Sequence, residues 1–211
     1  MRSTLRVAAD VRGFLGGLTH TSLGLSYGEA FALLQDVADA ELDAWHEEWR
    51  ASQPVGVDAS VAHCDALLTV LDRTERGVTH RSLYFNDRLD LEQTSIEMGA
   101  APLSADAPLP PAPHHALALG VALQPAAQLQ RALNVAVLGA GGCSLPRWLT
   151  AALPRCSVEA VEASSHVAAA ARHLFGAAAL EEEGRFALRE QDGRAWIDAQ
   201  PRGAWDCVMV D

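Results

Sequence analysis

Lysine is absent from this 211-residue chain, arginine supplies all 16 of its Lys and Arg side chains, and alanine is abundant. We read both features as compositional bias rather than function. Positive charge is scarce overall: 27 Asp and Glu residues leave a formal net charge of −11. That balance argues against a general nucleic-acid binder, which would carry a basic stripe. A basic peptide, a neutral small substrate or a second copy of the chain remain admissible partners. Cysteine is limited to Cys64, Cys143, Cys156 and Cys207, with no C-x-x-C pair. This disfavours a zinc site or a disulfide framework and suits a reducing compartment, taken here as the cytoplasm. No apolar run approaches the ~18 residues of a membrane span, so a membrane partner is not expected. Arg2, Arg6 and Arg12 against a lone Asp10 give the first 28 residues some character of a transit peptide. A frayed or locally packed N-terminus is the preferred reading.

What is present is material for a core, since 49% of the residues are hydrophobic and 20% charged, as in an ordinary globular protein. The chain is organised around residues 133–162, LNVAVLGAGGCSLPRWLTAALPRCSVEAVE. Val135 to Leu138 is a short apolar run suited to a buried strand. It breaks on Gly139-Ala140-Gly141-Gly142, a helical segment follows from Leu145 to Leu153, and a second apolar run, Val158 to Val161, ends on Glu162. Strand, glycine turn, helix, strand and acid make a βαβ unit of the kind that binds a nucleotide-like cofactor. Glycines permit a tight turn and close approach, and amides at a helix start offer donors. Glu162 lies 23 positions after Gly139, near the ~20 expected of an acid that accepts from ribose hydroxyls. A dinucleotide fingerprint would need a third glycine where Ser144 stands, whereas an S-adenosylmethionine site needs only the turn and the acid. Glycines serving packing alone are the bland alternative.

Ser26-x-x-Glu29 is a capping-box pattern, followed by a stripe of Phe31, Leu34, Val37, Leu42, Trp45 and Trp49 that predicts one long helix with a solvated acidic face. Pro54 and Gly56 end it. A second helix is expected from about Ser60 to Arg73, burying Val61, Cys64, Leu67, Leu68 and Leu71. Residues 1–78 are thus read as a helical appendage. Thr79 to Met98 switches to period two, which predicts a β-hairpin turning at Asn86-Asp87, with Leu89, Leu91 and Gln93 on one face. Ala100 to Pro113 is a proline-rich connector; with the hairpin it makes up residues 79–113. His114-His115 opens a helix to about Leu123. Adjacent residues diverge on a helix and no third ligand stands near, so no metal is expected there. In the remainder of 114–211, Ser164-Ser165 caps a helix from His166 to Phe175 that Gly176 ends. Arg185 to Arg189 is a third strand, Gln191-Asp192-Gly193 leads into a short helix, and Trp205 to Val210 is a fourth strand that stops at Asp211. Its near-continuous apolarity suits a central strand covered on both faces. The sheet is therefore expected to continue past Asp211, or to be covered by a partner chain.

These segments resemble the spermidine-synthase-like branch of class I methyltransferases, and most of all the methyltransferase-like proteins that modify translation elongation factor 1A. VAVLGAGGCSLPRWL is similar to the branch's glycine loop and helix start, VEAVEASSHVAAAARHLFG to its ribose-acid strand, EQDGRAWI to its adenine turn, WDCVMVD to its fourth strand, and HRSLYFNDRLDLEQTSI to the hairpin before the core. The resemblance implies an α/β, Rossmann-like core preceded by a small helical and hairpin part. It implies S-adenosylmethionine as cofactor, with Gly139, Ala140, Gly141 and Gly142 beside the methionine moiety, Glu162 and Ala163 at the ribose, Asp192 and Gly193 at the adenine, and Gln93 on the cofactor side. Asp211 would be the catalytic carboxylate, taking a proton as general base from an amine acceptor, either a protein or a small amine. Aminopropyltransferases carry an acid in the glycine loop where this chain has Cys143-Ser144, which favours methyl over aminopropyl transfer. Three functions are carried forward: a methyltransferase acting on a protein amine, an aminopropyltransferase, and a truncated non-catalytic relative that serves as an interaction module.

Overall fold

The computed structural model describes residues 27–99, 117, 121 and 131–211, with only the backbone described over 27–38. Ser26, the N-terminal 26 residues, the connector and His114-His115 lie outside the described residues. Of the helix expected after the histidine pair, Leu117 and Val121 are described; both are helical and pack on the core of the parallel sheet.

The expected long helix is present as α1, Tyr27–Ala51. Leu42 and His46 are buried, Trp45 and Trp49 half-buried, and Asp43, Glu47 and Glu48 exposed. Over the described side chains, Leu42, Trp45 and Trp49 of the stripe face protein, while Asp43, Glu47 and Glu48 face water. His46 is the inner-face residue that an apolar stripe does not reveal. Its Nε2 lies 3.3 Å from the Thr69 hydroxyl, and burial, more than the nearby Arg50, lowers its pKa.

The helix expected at 60–73 is instead two strands. β1 (Val57–Cys64), β2 (Leu68–Glu75), β3 (Val78–Phe85) and β4 (Glu92–Met98) form one antiparallel sheet in that order. Spacings of three to four between Val61, Cys64, Leu68 and Leu71 mimic a helix, but Cys64 and Leu67 are exposed. Two local causes favour strands. The Asp65 carboxylate accepts from the amides of Leu67 (2.7 Å) and Leu68 (2.8 Å), closing a turn between β1 and β2. Leu68 to Leu71 is buried at every residue, so it is covered on both faces and loses the alternation that marks a strand. Residues 57–98 form a single sheet, and a division after residue 78 falls one residue into β3. The predicted hairpin is β3–β4, with Leu89 and Leu91 in the connecting loop rather than on the second strand.

The second sheet is parallel, ordered β7 (Phe186–Glu190), β6 (Cys156–Glu162), β5 (Leu133–Leu138), β8 (Cys207–Val210). The crossovers carry α2 (Ser144–Ala152), α3 (Ser165–Leu174), α4 (Ala177–Glu182) and α5 (Gly193–Asp198). Leu133, Val135, Val137, Val158 and Ala160 bury one face beneath α2, α3 and α4. Ala136, Val161 and Trp196 close part of the other. Ser164 caps α3, accepting from the Val167 amide at 3.3 Å. β8 lies at the edge of the described strands, with Met209 buried but Val208 and Val210 exposed, so the both-faces burial expected of it is not observed. Among the described residues no helix is long and apolar enough to cross a membrane.

The two sheets meet through α3, whose Val167 and Ala170, with Phe175 just after it, pack on Leu68, Val70, Leu83 and Ile96. Arg81 pins that contact. Its Nε and Nη2 donate to both Asp72 oxygens at 2.7 Å, and Nη1 donates to the Leu174 carbonyl at 2.8 Å, at the end of α3. Both side chains are less than one-fifth exposed (17% and 19%), so solvent does little to replace the pair. Arg81→Ala is expected to cost about 2–3 kcal/mol in urea denaturation, because it strands the Asp72 charge and an orphan helix carbonyl. An unchanged midpoint would remove Arg81 from the account of how the sheets hold together.

Candidate functional site

In a parallel sheet the chain leaves every strand at the same edge, and ligands bind where the direction of crossing reverses. Here the chain steps from β5 outward to β6 and β7, then returns to β8 on the other side of β5. The reversal lies between β5 and β8, at Gly139 and Asp211. The Asp211 amide donates to the Leu138 carbonyl at 2.9 Å. At Gly139, which has a left-handed φ of 87°, an added Cβ would stand 2.7 Å from the Asp211 carbonyl oxygen. This half of the chain is a Rossmann-like α/β fold.

The loop after β5 is held on all sides. The Gly139 amide donates to the Val161 carbonyl (2.9 Å) and the Cys143 amide to the Ala140 carbonyl (2.8 Å). The Gly141 amide donates to Glu162 Oε2 (3.1 Å), and the Gly142 amide to Thr94 Oγ1 (3.2 Å). Glu162 Oε1 accepts from the Ser164 amide at 2.9 Å, so one carboxylate at the tip of β6 ties the glycine loop to the loop that starts α3. At 139 and 142 Cβ groups would stand only 2.7 Å from Asp211 O and 2.4 Å from Thr94 Cγ2, and at 141 glycine is favoured by a left-handed φ of 51° with Thr94 Oγ1 3.0 Å from where a Cβ would be. Ala140 and Cys143 point into the core. Burial, reinforced by the charge of Glu162, raises the Cys143 thiol to about 12; it is neutral at physiological pH and no nucleophile.

The remaining expected residues lie along the same edge. Asp192 follows β7, is exposed, and caps α5 by accepting from the Ala195 amide at 2.8 Å. Gly193 packs on the last residue of β5, where a Cβ would lie 3.4 Å from Leu138 Cβ. Ala163 and Asp211 are exposed. The tips of β5, β6, β7 and β8 therefore present Gly139, Glu162, Asp192 and Asp211 side by side. Gln93 is half-buried and its carboxamide donates to the Leu91 carbonyl at 3.1 Å. The hairpin residue whose side chain reaches the loop is its neighbour Thr94, which sequence reasoning missed. No local signal marks it, because its partner is 48 positions away.

No family model and no curated protein sequence matches the chain. Among solved structures, human methyltransferase-like protein 13 in complex with SAH aligns at 28% identity and a TM-score of 0.41, covering 46% of this chain and 46% of that one. A probable spermidine synthase from Corynebacterium glutamicum aligns at 16% identity and a TM-score of 0.49, over 75% of this chain and 52% of that one. Spermidine synthase from Thermotoga maritima aligns at 13% identity and a TM-score of 0.48, over 72% and 46%. The chain is similar to methyltransferase-like and spermidine-synthase structures. It spans about half the length of these proteins.

Beside the start of α3 is a second polar cluster. Asp65 Oδ2 lies 3.2 Å from His63 Nε2 and 3.2 Å from His166 Nδ1, while Oδ1 holds the Leu67 and Leu68 amides. Burial pushes the Asp65 carboxyl up, but the two amides and two imidazoles together outweigh it and hold the group well below its ordinary value. A carboxylate with a depressed pKa contributes stability above its unfolded value of about 4 and loses it as pH falls toward the folded value. Asp65→Asn is therefore expected to be less stable than the parent at pH 6 and to lose less stability between pH 4 and pH 2. Parallel stability–pH curves from urea denaturation would refute this.

Proposed function

We propose that the strand tips bind S-adenosylmethionine and that the protein transfers its methyl group to an amine, preferably on a protein. The observation that carries this reading is that four amides of the glycine loop are already used. Gly139, Gly141, Gly142 and Cys143 each donate to a protein acceptor, and a carboxylate stands among them. A pyrophosphate needs free amides and no adjacent negative charge. A ribose diol and a sulfonium need neither, and both are favoured beside a carboxylate.

In this reading Glu162 accepts from the ribose hydroxyls with lone pairs left over from its two amide bonds, and Ala163 lines the same side. Asp192 accepts from the adenine amine, with Gly193 beside it, and the 139–142 loop and Gln93 border the methionine portion. The cofactor supplies an already activated methyl group, so the protein's task is alignment. In the same reading Asp211, which follows β8 beside the glycine loop, takes the proton that an amine must lose.

Calorimetric titration of the full chain with S-adenosylmethionine, decarboxylated S-adenosylmethionine and NAD tests the reading. Saturable binding of the first, with NAD inert, supports it. Preference for the decarboxylated form transfers the assignment to aminopropyl chemistry. A folded sample that binds none of the three would leave an interaction module.

A further inference from the structure

The antiparallel sheet contributes directly to this site. β4 pairs Leu83 with Thr94 and then Tyr84 with Glu92, so Gln93 is an extra residue and β4 is bulged next to Thr94. Such a bulge re-aims the neighbouring side chains. Thr94 is 5% exposed, its hydroxyl accepts from the Gly142 amide at 3.2 Å, and its methyl fills the space in which a side chain at 142 would sit. The Gly142 amide belongs to the glycine loop, one residue before the N-cap of α2, where successive loop amides can otherwise be presented to an anion.

We propose that Thr94 is a positioning residue: it holds the Gly142 amide away from the ligand and so sets the glycine loop for an S-adenosyl ligand rather than a pyrophosphate. This rests on the cofactor reading above. The hydroxyl and the methyl have separable duties, the first binding the amide and the second packing on the glycine. Valine keeps the shape and loses the acceptor, while serine keeps the acceptor and loses the methyl group.

Two measurements on the full chain test the proposal. The first is hydrogen exchange at the Gly142 amide in the ligand-free protein, followed by NMR. Thr94→Val should speed it by about tenfold or more, the cost of a lost hydrogen bond, and Thr94→Ser should leave it near the parent rate. The second is calorimetric affinity for S-adenosylhomocysteine against NAD. Thr94→Val should lower the first by about tenfold and narrow the ratio between the two, and Thr94→Ser should retain it to within about threefold. Parent-like exchange and affinity in Thr94→Val would overturn the proposal, as would equal damage from both variants, since packing alone would then be the role. If the parent chain binds neither ligand, the cofactor reading fails, and with it Thr94's role in ligand choice. Its hold on the loop is then judged separately by the exchange rates.

Discussion

Glu162→Gln is expected to lower the affinity for S-adenosylhomocysteine by about 100-fold, since charge-assisted hydrogen bonds contribute about 1.5–3 kcal/mol each. The carboxylate binds two amides, Gly141 through Oε2 and Ser164 through Oε1. Glutamine presents one oxygen and one NH2 group, so one backbone donor would face another donor. It also lacks the charge that strengthens a bond from a ribose hydroxyl. The loss should exceed that of Glu162→Asp, which keeps the charge and shortens the reach. Binding by calorimetry, well below each variant's melting temperature, separates lost contacts from lost folding. Affinity within threefold of the parent would remove Glu162 from the ribose position and leave it a structural tie between two loops.

The features legible in the sequence are those written locally. The glycine turn, the β-branched run before it, Glu162 at the end of the next strand, and Ser164 as a helix cap are each marked by the residue pattern of their own short segment, and the structure has each. What the sequence hid depends on distant partners. Leu68 to Leu71 reads as part of a helical stripe until α1 and α3 are both known to cover it. α4, with six residues, is too short to show a period. The strand character of 205–210 was plain, but its place at the edge of the described sheet follows from the direction of the last crossover, which residue pattern does not encode.

The site is divided in the same way. Its acids could be located one strand at a time, because a parallel sheet delivers every strand end to one edge. The contribution of the antiparallel sheet could not. Gln93 was singled out by resemblance, yet the bulge that gives Thr94 its aim depends on how β4 pairs with β3, and the contact it makes is with a loop on the other sheet.

That contact sets the second large effect. Gly142→Ala is expected to destabilise the chain by about 2–3 kcal/mol, as overpacking of a close-packed site does. The conformation at 142 is not the left-handed one, so the cost is steric. The new Cβ would stand 2.4 Å from Thr94 Cγ2, 3.0 Å from Phe175 Cδ1 and 3.2 Å from Thr94 Cβ. Thr94 belongs to the antiparallel sheet and Phe175 follows α3, so the loop cannot relax without moving one of them. Thr94→Ser removes the nearest of the three atoms and spares the hydroxyl. In that background the same substitution should cost about 1 kcal/mol less, a coupling of the size expected between touching residues. Urea denaturation of the parent, both single variants and the double variant closes the cycle. Strict additivity would mean that the glycine loop and the antiparallel sheet do not press on each other at this point, and the account of Thr94 as the residue that shapes the loop would fall with it.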